Sequence, residues 1–511
     1  MRITRKYRRF GGVAAGMMAA ALAVTGCTTT SQGGGGGEDV PQELTYVPGF
    51  FPVSLDPHSF PAEEGTQVAA QQTLETLVTY NDGEAAPLLA ESWEYSDDEL
   101  TLTFDLREDI TFSDGTPFTA EDVKASLDRL IELDKALAPL FDEVTETRAD
   151  DDHTFSIVTS EPLGTLLASM SLVFIGQAGE MDDDAYWSAP VGTGPFVVED
   201  YVADDHVTYS KNEDYWGEPA TLDTLEMVNM PEIAARITAL ETGEVDVVSS
   251  IPPDQMSGIE GQDGIELLQD AGYIYYFIWF NNNEEPFDDV RVRQAMWHAV
   301  DVEGIVSDLY GDGAVPATAP IPQAAFGATD NGVYEYDPEL ARELLEDAGY
   351  ADGFQASMQW PREGGPNIRS LGQAFISAWA EVGIEIEPLE KERAAWLEDF
   401  GSMNWDLNLQ TNTTATGDAD FTLNRLYTCE ADRLGYCNQE VDDLLGQARN
   451  SLDPDERLEL YGQANDILWE EAPGIFPAEL MNNVAYGSQV QGLELPPTNR
   501  PSFSTVSLGE V

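Results

Sequence analysis

The 511-residue chain is 42% hydrophobic and 10% aromatic, enough apolar mass for roughly two to four globular units. Its 94 acidic residues face only 24 basic ones, a formal net charge of −70; such a surface repels phosphate backbones and anionic lipid, which excludes a nucleic-acid partner. The acidity reads as solubility, with steering of cationic ligands as the alternative, and it carries no information about fold.

Five basic residues (Arg2, Arg5, Lys6, Arg8, Arg9) fall in the first nine positions, leaving 19 for everything after them. The small-residue apolar stretch from Gly11 to Val24 is short of the about 20 residues that span a bilayer, but it suits the hydrophobic region of a signal peptide. Ala23-Val24-Thr25-Gly26-Cys27 resembles the bacterial lipobox, which implies a signal peptide over residues 1–26 and a lipid on Cys27. An ordinary signal peptide with an incidental cysteine is the alternative. Residues 27–43, with Gly33 to Gly37 at their centre, read as a solvated tether. The expected place of work is the outer face of the cytoplasmic membrane. Arg8-Arg9-Phe10 leaves twin-arginine export open beside the general route.

Downstream, short strands and capped helices alternate. Ala90–Tyr95 and Leu100–Arg107 read as a hairpin, the second arm alternating apolar and polar residues. Thr119 with Asp122 predicts a capped helix whose apolar face carries Val123, Leu127 and Leu130. Tyr273–Phe280 reads as a strand. Val292, Ala295, Met296, Ala299 and Val300 share a helix face that excludes His298. Asp337-Pro338 opens a helix that Gly349 stops. Asp453-Pro454 opens another, with Leu458, Tyr461 and Leu468 expected on its inner side. With Cys27 assigned to lipid, Cys429 and Cys437 remain as an even pair in an oxidising compartment, which favours a disulfide over two free thiols. Zinc lacks further ligands, because the four histidines (His58, His153, His206, His298) lie elsewhere in sequence.

No nucleophile elbow, phosphate-binding loop, zinc-protease helix or dinucleotide fingerprint occurs, so the sequence asks for no enzyme and no cofactor. His58, in a loop, and His298, in a helix, read as structural. A carboxylate pair of the glycosidase kind would be invisible among 94 acids, so a secreted hydrolase stays as a distant alternative.

Several stretches together resemble the extracellular solute-binding proteins of family 5, the peptide/nickel class serving ABC importers. Leu89–Arg107 and Ile110–Val123 carry most of the likeness. Pro190–Phe196, Ala239–Asp246, Phe280-Asn281, Pro286–Ala295 and the Cys429…Cys437-Asn438 region, which is similar to the disulfide region of dipeptide- and glutathione-binding members, follow in the family's order. The resemblance implies an α/β, two-lobed periplasmic-binding-protein fold of type II with an extra subdomain on the first lobe (cluster C). It places lobe I at 44–79, 186–272 and 484–511, the subdomain at 80–185 and lobe II at 273–483, the lobes closing on solute like jaws.

The same resemblance implies ligand residues. Met358-Gln-Trp-Pro-Arg362 matches the pattern around an arginine that clamps a peptide carboxylate, a task for a rigid bidentate fork. A surface ion pair with Glu363 is the alternative. Where peptide binders hold the α-ammonium with an aspartate after Gly-Trp, this chain has Thr414-Ala415, leaving Asp418 as a displaced substitute. Trp360, Trp396, Trp405 and Tyr275 are candidate stacking surfaces, each also explicable as core. The expectation is a monomeric, lipid-anchored receptor that hands peptides to ABC permease and ATPase subunits. Oligosaccharide or another elongated solute is the runner-up, nickel is disfavoured by the scarcity of histidine, and a chemoreceptor partner is a further possibility.

Overall fold

Strands form where apolar side chains alternate or run together, and in the computed structural model, which describes residues 40–509, most of them join one long sheet. The leader, the tether and Cys27 lie outside the described residues. The chain opens with β1 (Glu43–Val47). A four-stranded antiparallel sheet follows, formed by β2 (Ala90–Tyr95), β3 (Thr101–Leu106), β4 (Val144–Asp151) and β5 (Thr154–Thr159) in the order β2-β3-β5-β4. Leu102, Phe104 and Leu106 alternate into its core, and Trp93 faces Phe104 across the hairpin. Helix α1 (Ala120–Glu132) begins where the Asp122 carboxylate accepts the Thr119 N–H at 2.8 Å, and it buries Val123, Leu127 and Leu130.

The main sheet continues with β6 (Phe196–Val202), β7 (His206–Lys211), β8 (Thr224–Val228) and β9 (Val247–Ser249). Strand β10 (Ile265–Phe280) leads to β11 (Phe354–Pro361), β12 (Ile384–Lys391) and β13 (Leu407–Thr413), in the part expected to be lobe II. Helices α2 (Arg393–Gly401), α3 (Ala419–Tyr427) and α4 (Pro454–Glu471) belong to the same lobe, and β14 (Gly474–Gly487) returns to the first. The resulting order is β12-β11-β13-β10-β14-β9-β1-β8-β7-β6, with the short strand Ala314–Pro316 paired to β14. The run expected at 273–280 is thus the second half of a 16-residue strand.

Strands β10 and β14 form the antiparallel ribbon between the lobes. Their register breaks between Ala271↔Met481 and Tyr275↔Glu479 and again between Tyr276 and Ile278, irregularities that locally interrupt the ladder. Separate cores lie to either side. One gathers Tyr46, Tyr209, Leu225 and Phe503, a second Phe104, Phe112, Phe118 and Phe155, and the largest Trp279, Trp297, Trp379 and Tyr427. Asp337 caps Pro338–Asp347 by accepting the Leu340 N–H at 2.9 Å. Helix α4 buries Tyr461 and Leu468 as expected but departs from its expected inner face at Leu458. Leu458 is 45% exposed and Arg457 is buried instead, because a carboxylate waits for Arg457 inside. Cys429 and Cys437 are joined as a disulfide. Among the described residues no helix is long and apolar enough to cross a membrane.

Candidate functional site

The parallel trio β12, β11 and β13 ends on one edge of lobe II, since Met358 pairs with both Pro388 and Leu407. Loops leaving the carboxyl ends of such strands are where open α/β sheets place ligands. Arg362 directly follows β11 on this edge. It is 57% exposed, hydrogen-bonded to the Glu392 carboxylate (itself 63% exposed), with Nε 3.8 Å from Glu390. Arg369 shares Glu390 at 2.6 Å, and the hydrogen bonds from Arg369, despite some desolvation, hold the Glu390 carboxyl below its usual range. The ion-pair partners shown for Arg362 thus lie on and just after β12.

Behind the edge runs an amide-lined face. Asn408, Gln410 and Asn412 alternate along β13 and pair with Trp279, Phe277 and Tyr275 of β10. The Asn408 side-chain oxygen accepts from Gln359 at 3.1 Å and from the Trp396 indole at 2.8 Å. Lys391 donates to Gln359 at 2.8 Å and is fixed by Asp399 at 2.6 Å. Further along, Asn412 donates to the Tyr275 hydroxyl at 3.3 Å and accepts from Arg425 at 3.1 Å.

Just past β13 the loop 414–418 reaches the other lobe. Asp418 caps α3 by accepting the Asp420 N–H at 3.0 Å, and Arg457 Nη2 contacts both its oxygens, at 2.9 and 2.7 Å. Both side chains are out of solvent, at 1% and 4% exposure. Burial works against the Arg457 cation, but the Asp418 carboxylate outweighs it and the pKa is raised. Tyr80, from lobe I, donates its hydroxyl to Asp418 at 2.8 Å. Further long-range contacts to the 90–165 region are the Gly164 N–H on Arg449 O at 2.8 Å and Asn450 on Glu161 at 3.2 Å. Gly417 must be glycine here: its φ is +72°, and a Cβ would sit 2.5 Å from the Tyr273 hydroxyl. Burial, with Asp82 and Asp418 nearby, pushes the Tyr273 hydroxyl up to about 12.

The sequence-named residues are thus scattered, not convergent. Asp418 is committed to Arg457, Tyr80 and a helix cap, so its carboxylate has no capacity to anchor an ammonium. Trp360, Trp405 and Tyr275 are buried in the lobe II core. Trp396 is buried with its indole spent on Asn408 and its ring 5.3 Å from Phe400. Only Arg362 presents its functional group at the open edge. His58 is buried, its Nε2 2.7 Å from Phe174 O, and burial lowers its pKa to about 4.

Sequence reasoning passed over three groups. Tyr80 gives no local signal, its partner lying 338 residues away. Glu479, on β14 at the register break, is 5% exposed; one oxygen accepts the Gln323 N–H at 2.9 Å and the other has no partner. Burial raises its pKa to about 7 against the pull of the Gln323 and Thr318 amides. Arg425 did carry a signal. Positions three and four away in sequence hold Phe421, Thr422, Thr428 and Cys429, with no acid among them in a chain where acids dominate.

Comparison with known proteins places these features in context. A family model described as "Bacterial extracellular solute-binding proteins, family 5 Middle" matches residues 84–433. Heme-binding protein A of Haemophilus influenzae is 30% identical over 486 residues, covering 87% of this chain and 89% of the relative. Glutathione-binding protein GsiB of Escherichia coli K12 is 32% identical over 441 residues, covering 82% and 86%. Among solved structures, the ABC transporter-associated periplasmic binding protein DppA from Helicobacter pylori, in complex with peptide STSA, superposes with a TM-score of 0.77 at 26% identity, covering 91% of this chain and 98% of that one.

Proposed function

The chain belongs to the bacterial extracellular solute-binding proteins of family 5, and from that premise we propose that it is the substrate-binding lipoprotein of an ABC importer, capturing di- and oligopeptides between its lobes. Arg362 carries the reading. It stands on the open edge of lobe II, and its partners Glu390 and Glu392 are exchangeable: exposed ion pairs of this kind contribute only about 0–1 kcal/mol. A solute carboxylate shielded between closing lobes replaces Glu392 in the guanidinium fork and makes the stronger pair. Solute contacts to both lobes then favour the closed state, which docks on the permease while ATP is hydrolysed on other subunits. The glutathione-binding relative GsiB and the peptide STSA held by the Helicobacter pylori protein support this class. Cys27 supplies the anchor in this reading, and Cys429–Cys437 braces the start of lobe II's last helical layer.

A second reading, an oligosaccharide or another elongated neutral solute, is favoured by one observation. The half-buried amides Gln410 and Asn412 on β13 suit hydroxyl-rich ligands, while Asp418, the displaced candidate for a peptide ammonium, is taken up by Arg457. A thermal-shift screen of the purified protein against dipeptides, longer peptides and oligosaccharides separates the two. A ligand at 100 times its Kd stabilises the native state by about 2.7 kcal/mol, a rise of several degrees. A rise with peptides that is lost in Arg362→Ala supports the first reading; a rise with sugars alone replaces it with the second.

A further inference from the structure

Two sets of parallel strands run toward the register break of β10 and β14 from opposite sides. Strands β1 and β9 pair side by side, and β9 descends β14 to Ser249↔Val484, where the Ser250 N–H reaches Asn483 O at 3.0 Å. From the other side β13 descends β10 to Thr413↔Ile274, where the Thr414 N–H reaches Tyr273 O at 3.0 Å. The carboxyl ends of both sets, where open α/β sheets hold ligands, therefore converge on the break. Position 362 and Asn482 fall on the same face of the sheet. Met358 pairs with Leu407, Leu407 with Phe280 and Tyr276 with Ala478, and the strand steps 358–362, 280–276 and 478–482 are all even.

Asn482 holds the C-terminal tail on that face, its amide donating to Pro496 O at 3.1 Å and Pro497 O at 3.0 Å. The tail turns at Asn499, with a φ of +59° that asparagine tolerates better than most side chains. Asn499 Nδ2 donates to Glu64 Oε1 at 3.0 Å and lies 3.4 Å from Ser250 Oγ. Its Oδ1 is buried without a partner, in a residue only 6% exposed. Glu64, half-buried, opens the helix Glu64–Ala70; its second oxygen accepts no hydrogen bond and no ion pair reaches it among the described residues. Arg500 stands beyond ion-pair distance, and burial raises the Glu64 pKa against the pull of Arg500 and Asn499. Two neighbouring acceptors are thus left without donors. The rim beside them is apolar. Phe50 is 66% exposed, and its carbonyl lies so near the helix start that a Cβ on Gly65 would sit 2.4 Å from it. A polar floor beside an apolar rim is the makeup of a solute pocket.

Building on the peptide reading, we propose that Glu64, with Asn499, binds the solute's α-ammonium across the register break from Arg362. An ammonium has three N–H donors and no acceptor, so it satisfies the free Glu64 oxygen and Asn499 Oδ1 together. The solute class narrows to peptides with a free amino terminus, and a peptide held by Arg362 and Glu64 bridges the two lobes.

Calorimetric titration with tetra-alanine and its N-acetyl form, at low ionic strength, tests this. The free peptide is expected to bind about tenfold more tightly or better, the worth of one charge-assisted bond. Glu64→Gln, which keeps an acceptor for Asn499 Nδ2, should bring tetra-alanine down to the acetylated peptide and leave the latter unchanged; Glu64→Asp should keep part of the preference. Equal affinities in the unaltered protein, or a preference that survives Glu64→Gln, overturn the proposal. So does an equal loss of both peptides in Glu64→Gln, the mark of a purely structural carboxylate. If neither peptide binds, the peptide reading falls by itself, and alaninamide, a cation without a carboxylate, decides the subsite. A melting-temperature rise lost in Glu64→Gln sustains it; no rise, or one that survives the change, overturns it.

Discussion

Lobe II holds two arginine–carboxylate pairs that look alike in a contact diagram and differ in everything that sets their energy. Arg457 and Asp418 meet out of solvent, oriented by a helix cap, a tyrosine from each side and the Phe326 ring 5.2 Å from the guanidinium carbon. Arg362 and Glu392 meet in water at the end of a sheet, more than half exposed. The first pair is complete, so it can only be lost. The second is provisional, so it can be exchanged for solute. In the function proposed above the first pair is scaffold and the second the ligand-binding one, and Asp418, the candidate ligand anchor, falls with the first.

The sharpest break in the comparison is to unpair the buried couple. Arg457→Met leaves Asp418 charged and uncompensated, and should cost about 3–5 kcal/mol in denaturant unfolding. The double change Arg457→Met with Asp418→Asn should recover part of that loss, since neither partner is then a stranded charge. Little effect from the single change would place Arg457 with the exchangeable class.

A buried acid without a counter-charge, Glu479, makes the converse case. Its pKa is raised from the ordinary carboxyl value of 4.5 to about 7, so the folded state binds its proton more tightly than the unfolded one. The stability it contributes is therefore full below pH 4.5 and is lost as pH rises through 7, by on the order of 3 kcal/mol. Glu479→Gln should be indistinguishable from the parent near pH 4.5 and melt higher at pH 8. Parallel pH profiles for the two proteins would show that Glu479 carries no such burial penalty.

Smaller still is the contact between lobes. Tyr80→Phe removes one charge-assisted hydrogen bond onto Asp418, worth about 1.5–3 kcal/mol at most, and only where the lobes touch. Solute affinity should fall several-fold with Arg457 still in place. Unchanged affinity would mean that this contact persists when the lobes part.

These pairs also show what was legible in the sequence. Local grammar was readable because its partners are close in the chain: the Thr119–Asp122 box, the Asp337-Pro338 start and the 90–107 hairpin all formed as their spacing predicts. The family segments fixed the two-lobed fold. Site chemistry was less readable because it depends on which side of an element meets which distant group. Asp418 and Arg457 are 39 residues apart, and an inner face drawn through Leu458 misses Arg457 by one position. Trp360, Trp405 and Tyr275 carry the residue types of a stacking pocket, but strand alternation and helix cover put them in the core. Arg362 was identifiable from its motif, yet its partners on the neighbouring strand were not.

The most direct test of the account is a paired measurement on Arg362→Ala: unfolding without solute, and calorimetric binding of the peptide that gives the unaltered protein its largest thermal shift. The account predicts stability within about 1 kcal/mol of the parent, as an exposed pair requires, together with at least a hundredfold loss of peptide affinity. Retained affinity, with or without a loss of stability, would contradict it.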